Sequence, residues 1–203
     1  MSAHLLHVAT SNAHKLDELR HALEEAFGAV ELRGLRDFPN LEEPVEDGAT
    51  LEENALIKAR ALHVHAGGLC VADDTGLMVD ALDGAPGVYS ARWAGEGCSY
   101  ADNVAKLCRE MAHVPTERRQ ARFETVLAVI EPNGRETLLR GACHGWILDR
   151  PQGESGFGYD PVFLVPELNR SFAELSLAEK NAISHRGRAV RELINWLRSA
   201  CRW

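Results

Sequence analysis

The sequence predicts an α/β fold: a long mixed β-sheet flanked by helices. Two observations carry this. Near the N-terminus an apolar strand runs directly into an amphipathic helix, the alternation found in α/β proteins. Farther on, two β-rich runs face each other across Asn133-Gly134, a dipeptide suited to a tight antiparallel hairpin. A chain of 203 residues makes one large domain or two small lobes, with room for a sizeable core. It is read as one domain over residues 1–203.

The strand is Leu5 to Thr10, and the helix covers residues 14–27 with Leu16, Leu19, Leu23 and Phe27 on one face. Thr10, Ser11, Asn12, Ala13, His14 and Lys15 therefore form a strand-to-helix turn. Unpaired N–H groups and the positive helix end meet there, which makes an anion site, and Lys15 adds charge. N-capping by Ser11 or Asn12 is the competing use of the same residues. Residues 28–49 are loop-rich and acidic, broken by Pro39, Pro44 and Gly48. Thr50 to Glu53 reads as a capping box opening a helix to Ala66, stopped by Gly67-Gly68.

Leu69 to Ala72 is a short apolar strand that delivers Asp73 and Asp74, after which Thr75-Gly76 turns the chain. Two adjacent carboxylates repel, and a divalent cation between them relieves the repulsion. Hard oxygen donors of this kind suit Mg²⁺. The same four residues also fit a solvated Asx-type turn. The next residues, with Gly84, Pro86, Gly87 and Gly95 among Asp80, Tyr89, Ser90 and Arg92, favour a shaped loop that lets backbone approach a ligand. Glu53 is taken up by its box, so Glu46 is the better third metal carboxylate, with a solvated acidic loop the alternative.

Ser99 and Asp102 cap a helix to about Ala112. Residues 119–131 and Arg135 to Asp149 are the hairpin strands, and Gly141 and Gly145 mark a bulge or close packing. The hairpin is scaffold or dimer surface rather than catalytic. Gly153 to Asp160 is a second glycine-rich loop, in which Phe157 has little local chain to pack on. Stacking on a planar base and anchoring in the core are both open to it. Pro161 to Val165 is a strand. Ser176-Xaa-Xaa-Glu179 is a capping box that places Lys180 in the following turn, and Ser184 to Arg188 leads into a final helix with Val190, Leu193, Ile194 and Leu197 buried.

The formal net charge of -8 argues against general binding to a nucleic-acid backbone. The five cysteines are widely spaced, with no Cys-Xaa-Xaa-Cys, and fit a reducing cytoplasm. No stretch has the length and apolarity of a signal or membrane-spanning segment.

Residues 71–95 resemble the signature of the inosine triphosphate pyrophosphatase family: Asp-Asp-Ser-Gly-Leu, then Val-Asp-Ala-Leu, then Gly-Xaa-Pro-Gly-Val-Tyr-Ser-Ala-Arg. This chain differs by Thr75 for Ser and by Trp93 where Tyr is usual. Thr10 to Lys15, Gly156 to Phe163 and Ser184 to Arg188 resemble the same family, so the likeness runs from near residue 5 to near residue 198. It implies two lobes around a substrate cleft, and hydrolysis of ITP, dITP and XTP to the monophosphate and pyrophosphate. It further implies a homodimer and a magnesium cofactor. Thr10, Ser11, Asn12, Ala13, His14 and Lys15 would hold the triphosphate. Asp74 would be the general base, with Lys15 also catalytic, and Asp74, Glu46 and Asp73 would hold the metal. Thr75 and Lys180 would contact substrate. Phe157 would stack on the base, Gly158, Tyr159 and Asp160 would lie near its edge, and His185 and Arg186 would read the keto group at purine position 6. A non-catalytic nucleotide sensor, which would not need paired acids, and a pyrophosphatase for modified pyrimidine nucleotides are the competing readings.

Overall fold

The computed structural model describes residues 4–201 and 203. In chain order the main elements are β1 (His4–Val8), α1 (Ala13–Phe27), β2 (Val30–Arg33), α2 (Leu51–Ala66), β3 (Cys70–Val79), β4 (Pro86–Gly87), α3 (Tyr100–Glu110), β5 (Gln120–Ile130), β6 (Glu136–Ile147), β7 (Phe163–Val165), β8 (Arg170–Ser171), α4 (Leu177–Ile183) and α5 (His185–Trp196). The strands hydrogen-bond in the order β2-β1-β3-β5-β6-β7-β8, with β4 added to β3. β1 runs parallel to β2 and β3, whereas β3–β4, β6–β7 and β7–β8 are antiparallel. The sheet is therefore mixed, as the sequence predicts.

Tertiary contacts divide the chain into two compact units. The first comprises residues 1–74, 125–141 and 188–203. Its core joins Leu6 and Val8 of β1, Leu19 and Leu23 of α1, Leu32 of β2, Val71 of β3, Val129 of β5 and Leu193 of α5. The second comprises residues 75–124 and 142–187. Its core joins Leu77, Val104, Leu107, Phe123, Ile147, Phe163 and Phe172.

Four local expectations change. The chain does not turn at Thr75-Gly76; β3 continues straight through to Val79. Gly76 serves close approach instead, since a Cβ there would lie 2.8 Å from the Gly87 carbonyl oxygen of the paired strand β4. The acidic stretch after residue 27 contains β2, whose alternation of buried Val30 and Leu32 with exposed Glu31 and Arg33 is a half-buried strand too short to stand out. At α2 only half of the capping box forms. Thr50 accepts from the Glu53 N–H, but the Glu53 carboxylate accepts from Ala49 N–H at 2.6 Å. The last helix starts earlier than expected, at His185, with Ser184 Oγ accepting from Gly187 N–H at 3.1 Å as its cap.

Other expectations hold. Ser99 with Asp102, and Ser176 with Glu179, form reciprocal capping boxes. Gly134 takes a φ of +84° in the turn between β5 and β6. Gly145 marks close packing: an added Cβ would press on the Leu164 carbonyl oxygen and lie 2.7 Å from Phe163 Cε1. Gly145→Ala should accordingly destabilise the protein by about 1–3 kcal/mol through overpacking. A urea-unfolding midpoint equal to that of the parent would contradict this packing.

Candidate active site

The first unit holds a cluster of buried acids and lysines. Asp73 and Asp74 are adjacent on β3 and nearly buried, at 8% and 7% exposure. Successive side chains on a strand point to opposite faces. Asp73 therefore meets Lys15 of α1 (Nζ to Oδ2 2.8 Å), and Asp74 meets Lys58 of α2 (Nζ to Oδ1 2.7 Å). Lys58 Nζ also donates to Glu46 Oε2 at 3.1 Å. The sequence reading placed both acids at a turn with a cation between them. The turn is absent, since β3 runs on to Val79, and each acid has a lysine in contact.

Burial dominates the titration of Asp74 and pushes its carboxyl up to about 6. Lys58 and Lys15 oppose this, and the neighbouring Glu46 adds to it. Burial pulls Lys58 down, but the charges of Asp74, Asp73 and Glu46 more than compensate and hold its ammonium above the ordinary lysine value. At neutral pH the site thus presents an ionised carboxylate beside a firmly charged lysine, and the carboxylate's proton affinity lies within the range useful to a general base.

Asp74 and Glu46 supply hard oxygen donors that already converge on one cationic atom, so their chemistry suits Mg²⁺. Asp73 is turned toward Lys15. Among the described residues, no three His, Cys, Asp or Glu side chains are gathered as a metal-binding group.

The strand-to-helix turn leading to Lys15 is organised by Asn12. Its Oδ1 accepts from His14 N–H at 3.0 Å and Lys15 N–H at 3.3 Å, while Thr10 Oγ1 accepts from Asn12 N–H at 3.2 Å. N-capping, one of the two uses open from sequence, is therefore in place, and it fixes the backbone from which Lys15 projects. Ser11, Ala13 and His14 are exposed around it.

The second unit holds an aromatic and cationic cluster. Lys180 Nζ pairs with Asp160 Oδ2 at 2.6 Å, with both side chains almost fully buried. The same Asp160 oxygen accepts from Phe157 N–H at 2.9 Å, so the ion pair ties down the glycine-rich loop. Gly156 and Gly158 take positive φ, and a Cβ on Gly156 would collide with the Asp160 carboxylate. The Phe157 ring is half-buried, with Lys180 Nζ 4.9 Å and Arg186 Cζ 5.5 Å from its centroid. Arg186 Nη2 donates to Thr75 Oγ1 at 3.3 Å. His185 is 3% exposed, its ring stacked on Phe123 at 4.5 Å. Tyr159 is buried, and its hydroxyl donates to the Ser90 carbonyl at 3.0 Å. Burial pushes that phenol well above its ordinary value.

Residues singled out in the sequence thus assemble into two groups: Lys15, Glu46, Asp73 and Asp74 in the first unit, and Thr75, Phe157, Asp160, Lys180, His185 and Arg186 in the second. The sequence reading missed Lys58. Its signal was phase: it lies four residues after Asn54 and one turn before Leu62, on the side of α2 that is buried. A lysine in a buried register asks for a carboxylate partner.

A family model described as the Ham1 family matches residues 6–196. A dITP/XTP pyrophosphatase of Thermoanaerobacter sp. (strain X514) is 50% identical over 190 residues, covering 94% of this chain and 94% of that protein. Among solved structures, a HAM1 protein from Coxiella burnetii matches with a TM-score of 0.88 at 37% identity, over 97% of this chain and 100% of that one. A nucleoside-triphosphatase / dITP/XTP pyrophosphatase from Mycobacterium abscessus matches with a TM-score of 0.76 at 47% identity, over 93% of this chain and 98% of that one.

The acid–lysine cluster can be tested directly. Lys58 lowers the Asp74 proton affinity by charge and by hydrogen bond. Lys58→Met should therefore move the Asp74 titration upward from about 6 in the metal-free protein, followed by carboxyl ¹³C chemical shift. A titration moving down, toward that of an ordinary aspartate, would show that the pair does not control this carboxylate.

Proposed function

The chain belongs to the Ham1 family, and from that premise we propose that it hydrolyses the non-canonical purine nucleoside triphosphates ITP, dITP and XTP to the monophosphate and pyrophosphate. The observation that carries this reading is Asp74, a buried carboxylate poised near neutral pH and held by Lys58 beside Glu46. A module that only bound nucleotides would have no use for a base so arranged. Asp74 accepts the proton of the attacking water as the anhydride between the α and β phosphates is cleaved. Lys15 and Lys58 supply positive charge for the phosphate oxygens, and the capped turn of residues 10–15 positions Lys15.

The proposed cofactor is Mg²⁺, held by Asp74 and Glu46 with Asp73 as the third acid of the set. When bound it would neutralise phosphate charge and make water more acidic. The proposed base reader is the second unit's cluster. Phe157 offers the stacking face, and Asp160 with Lys180 keeps its loop in place. Arg186, steadied by Thr75, donates to the position 6 oxygen. Adenine presents an amino group there, and a donor facing a donor loses the bond, which gives strong discrimination. His185, locked against Phe123, fixes the start of the helix that carries Arg186. Action in the cytoplasm as a homodimer completes the proposal. Among the described residues, no helix is long and apolar enough to cross a membrane.

With Mg²⁺, purified protein should release pyrophosphate from ITP, dITP and XTP, with little action on ATP, GTP or pyrimidine triphosphates. Asp74→Asn should abolish most turnover while leaving the fold intact. Release of orthophosphate would identify a different bond. Turnover of Asp74→Asn within about threefold of the parent, worth only about 0.65 kcal/mol, would make Asp74 structural.

The two cationic groups should separate by substrate. Arg186→Ala should lower the ITP-to-ATP ratio of kcat/KM by at least about tenfold, or 1.4 kcal/mol, because ATP never had that hydrogen bond. Lys15→Ala should depress both nucleotides alike, since every triphosphate presents the same anion. Equal losses on ITP and ATP for Arg186→Ala would move Arg186 to the phosphates.

A further inference from the structure

Phe157 has a second aromatic ring beside it. The Tyr100 centroid lies 5.9 Å from that of Phe157, with the planes inclined by 42°. Tyr100 opens α3 and is 47% exposed, so it contributes little to the core of its unit. Its backbone is nonetheless anchored. Asp102 Oδ2 accepts from the N–H and the hydroxyl of Ser99 at 2.8 and 2.6 Å, and Ser99 Oγ accepts from Asp102 N–H at 3.2 Å. A rigid backbone carrying a large, water-exposed aromatic ring next to another aromatic is the arrangement of a contact residue, because such a ring offers area at little entropic cost.

We infer that Tyr100 is a further base-binding residue, extending the Phe157 face into an angled aromatic platform that suits a bicyclic purine. The inference rests on the proposed reading of Phe157 as the stacking residue. A base does not fit between the two rings, since a sandwich needs two contacts of about 3.5 Å and hence about 7 Å between planes. We place the base instead across the two tilted rings. One ring of the purine covers the side of Phe157 not taken by Lys180 and Arg186, which lie over the ring, and the other reaches Tyr100. A single pyrimidine ring covers one aromatic and leaves the second wet, so Tyr100 favours purines by size while Arg186 selects among them by hydrogen bonding.

The test compares Tyr100→Ala, Tyr100→Gln and Tyr100→Phe on ITP. The first two should raise KM at least about fivefold with kcat within about twofold, and Tyr100→Phe should behave as the parent, since the stacking face rather than the hydroxyl is used. Product inhibition separates base from phosphate: inhibition by IMP should weaken along with KM, whereas inhibition by inorganic pyrophosphate should stay unchanged. An unchanged KM in both Tyr100→Ala and Tyr100→Gln, or equal weakening by IMP and pyrophosphate, overturns the inference. Parent protein that releases no pyrophosphate from ITP would instead remove the functional reading on which it rests.

Discussion

Much of the first unit depends on one electrostatic constraint: two adjacent carboxylates are buried on β3, and neither is stable there without a cation. A buried carboxylate left unpaired costs several kcal/mol. Strand geometry sends Asp73 and Asp74 to opposite faces, so each makes its close contact with a different lysine. α1 must bring Lys15 to one and α2 must bring Lys58 to the other. The capping of α1 by Asn12 then has a purpose beyond helix stability, because it fixes the helix start from which Lys15 projects, whereas Lys58 projects from the middle of α2. Pairing is incomplete compensation for Asp74. Burial still dominates, and the carboxyl keeps a proton affinity close to neutral pH, where proton transfer in both directions is accessible.

The second unit repeats the device for a different end. The buried pair of Asp160 and Lys180 also captures the Phe157 N–H, so a loop rich in glycine has one defined conformation. The glycines are needed because a side chain on Gly156 would occupy the place of the Asp160 carboxylate. Breaking either partner would leave a charge buried with a loop untied. The aromatic rings of Phe123 and His185 do for the start of α5 what the ion pair does for the loop, and Arg186 follows directly.

The two clusters differ in chemistry: the first joins carboxylates to ammonium groups, and the second gathers aromatic rings, cations and a buried ion pair. Membership of the Ham1 family rests on similarity across almost the whole chain. The chemistry of the clusters explains what such a chain can do with its residues.

The mixed α/β class, the helices announced by caps and stripes, the hairpin at Asn133-Gly134 and most of the side chains of the two clusters are legible in the chain alone. These are local properties: a Ser-Xaa-Xaa-Asp box, an Asn-Gly turn or a pair of acids is legible within a few residues. Only the tertiary structure decided which charge meets which. Thr75-Gly76 reads as a turn from sequence, yet β3 runs on to Val79, and Asp73 meets Lys15 of α1 while Asp74 meets Lys58 of α2. Lys58 was overlooked because its importance lies in a partner 16 residues away across the helix–strand packing, and no local pattern names a partner at that separation. The pairing of Asp160 with Lys180, 20 residues on, is illegible for the same reason. Spacing along the chain ranks residue types, but a buried ion pair is settled by which helix packs on which face of a strand.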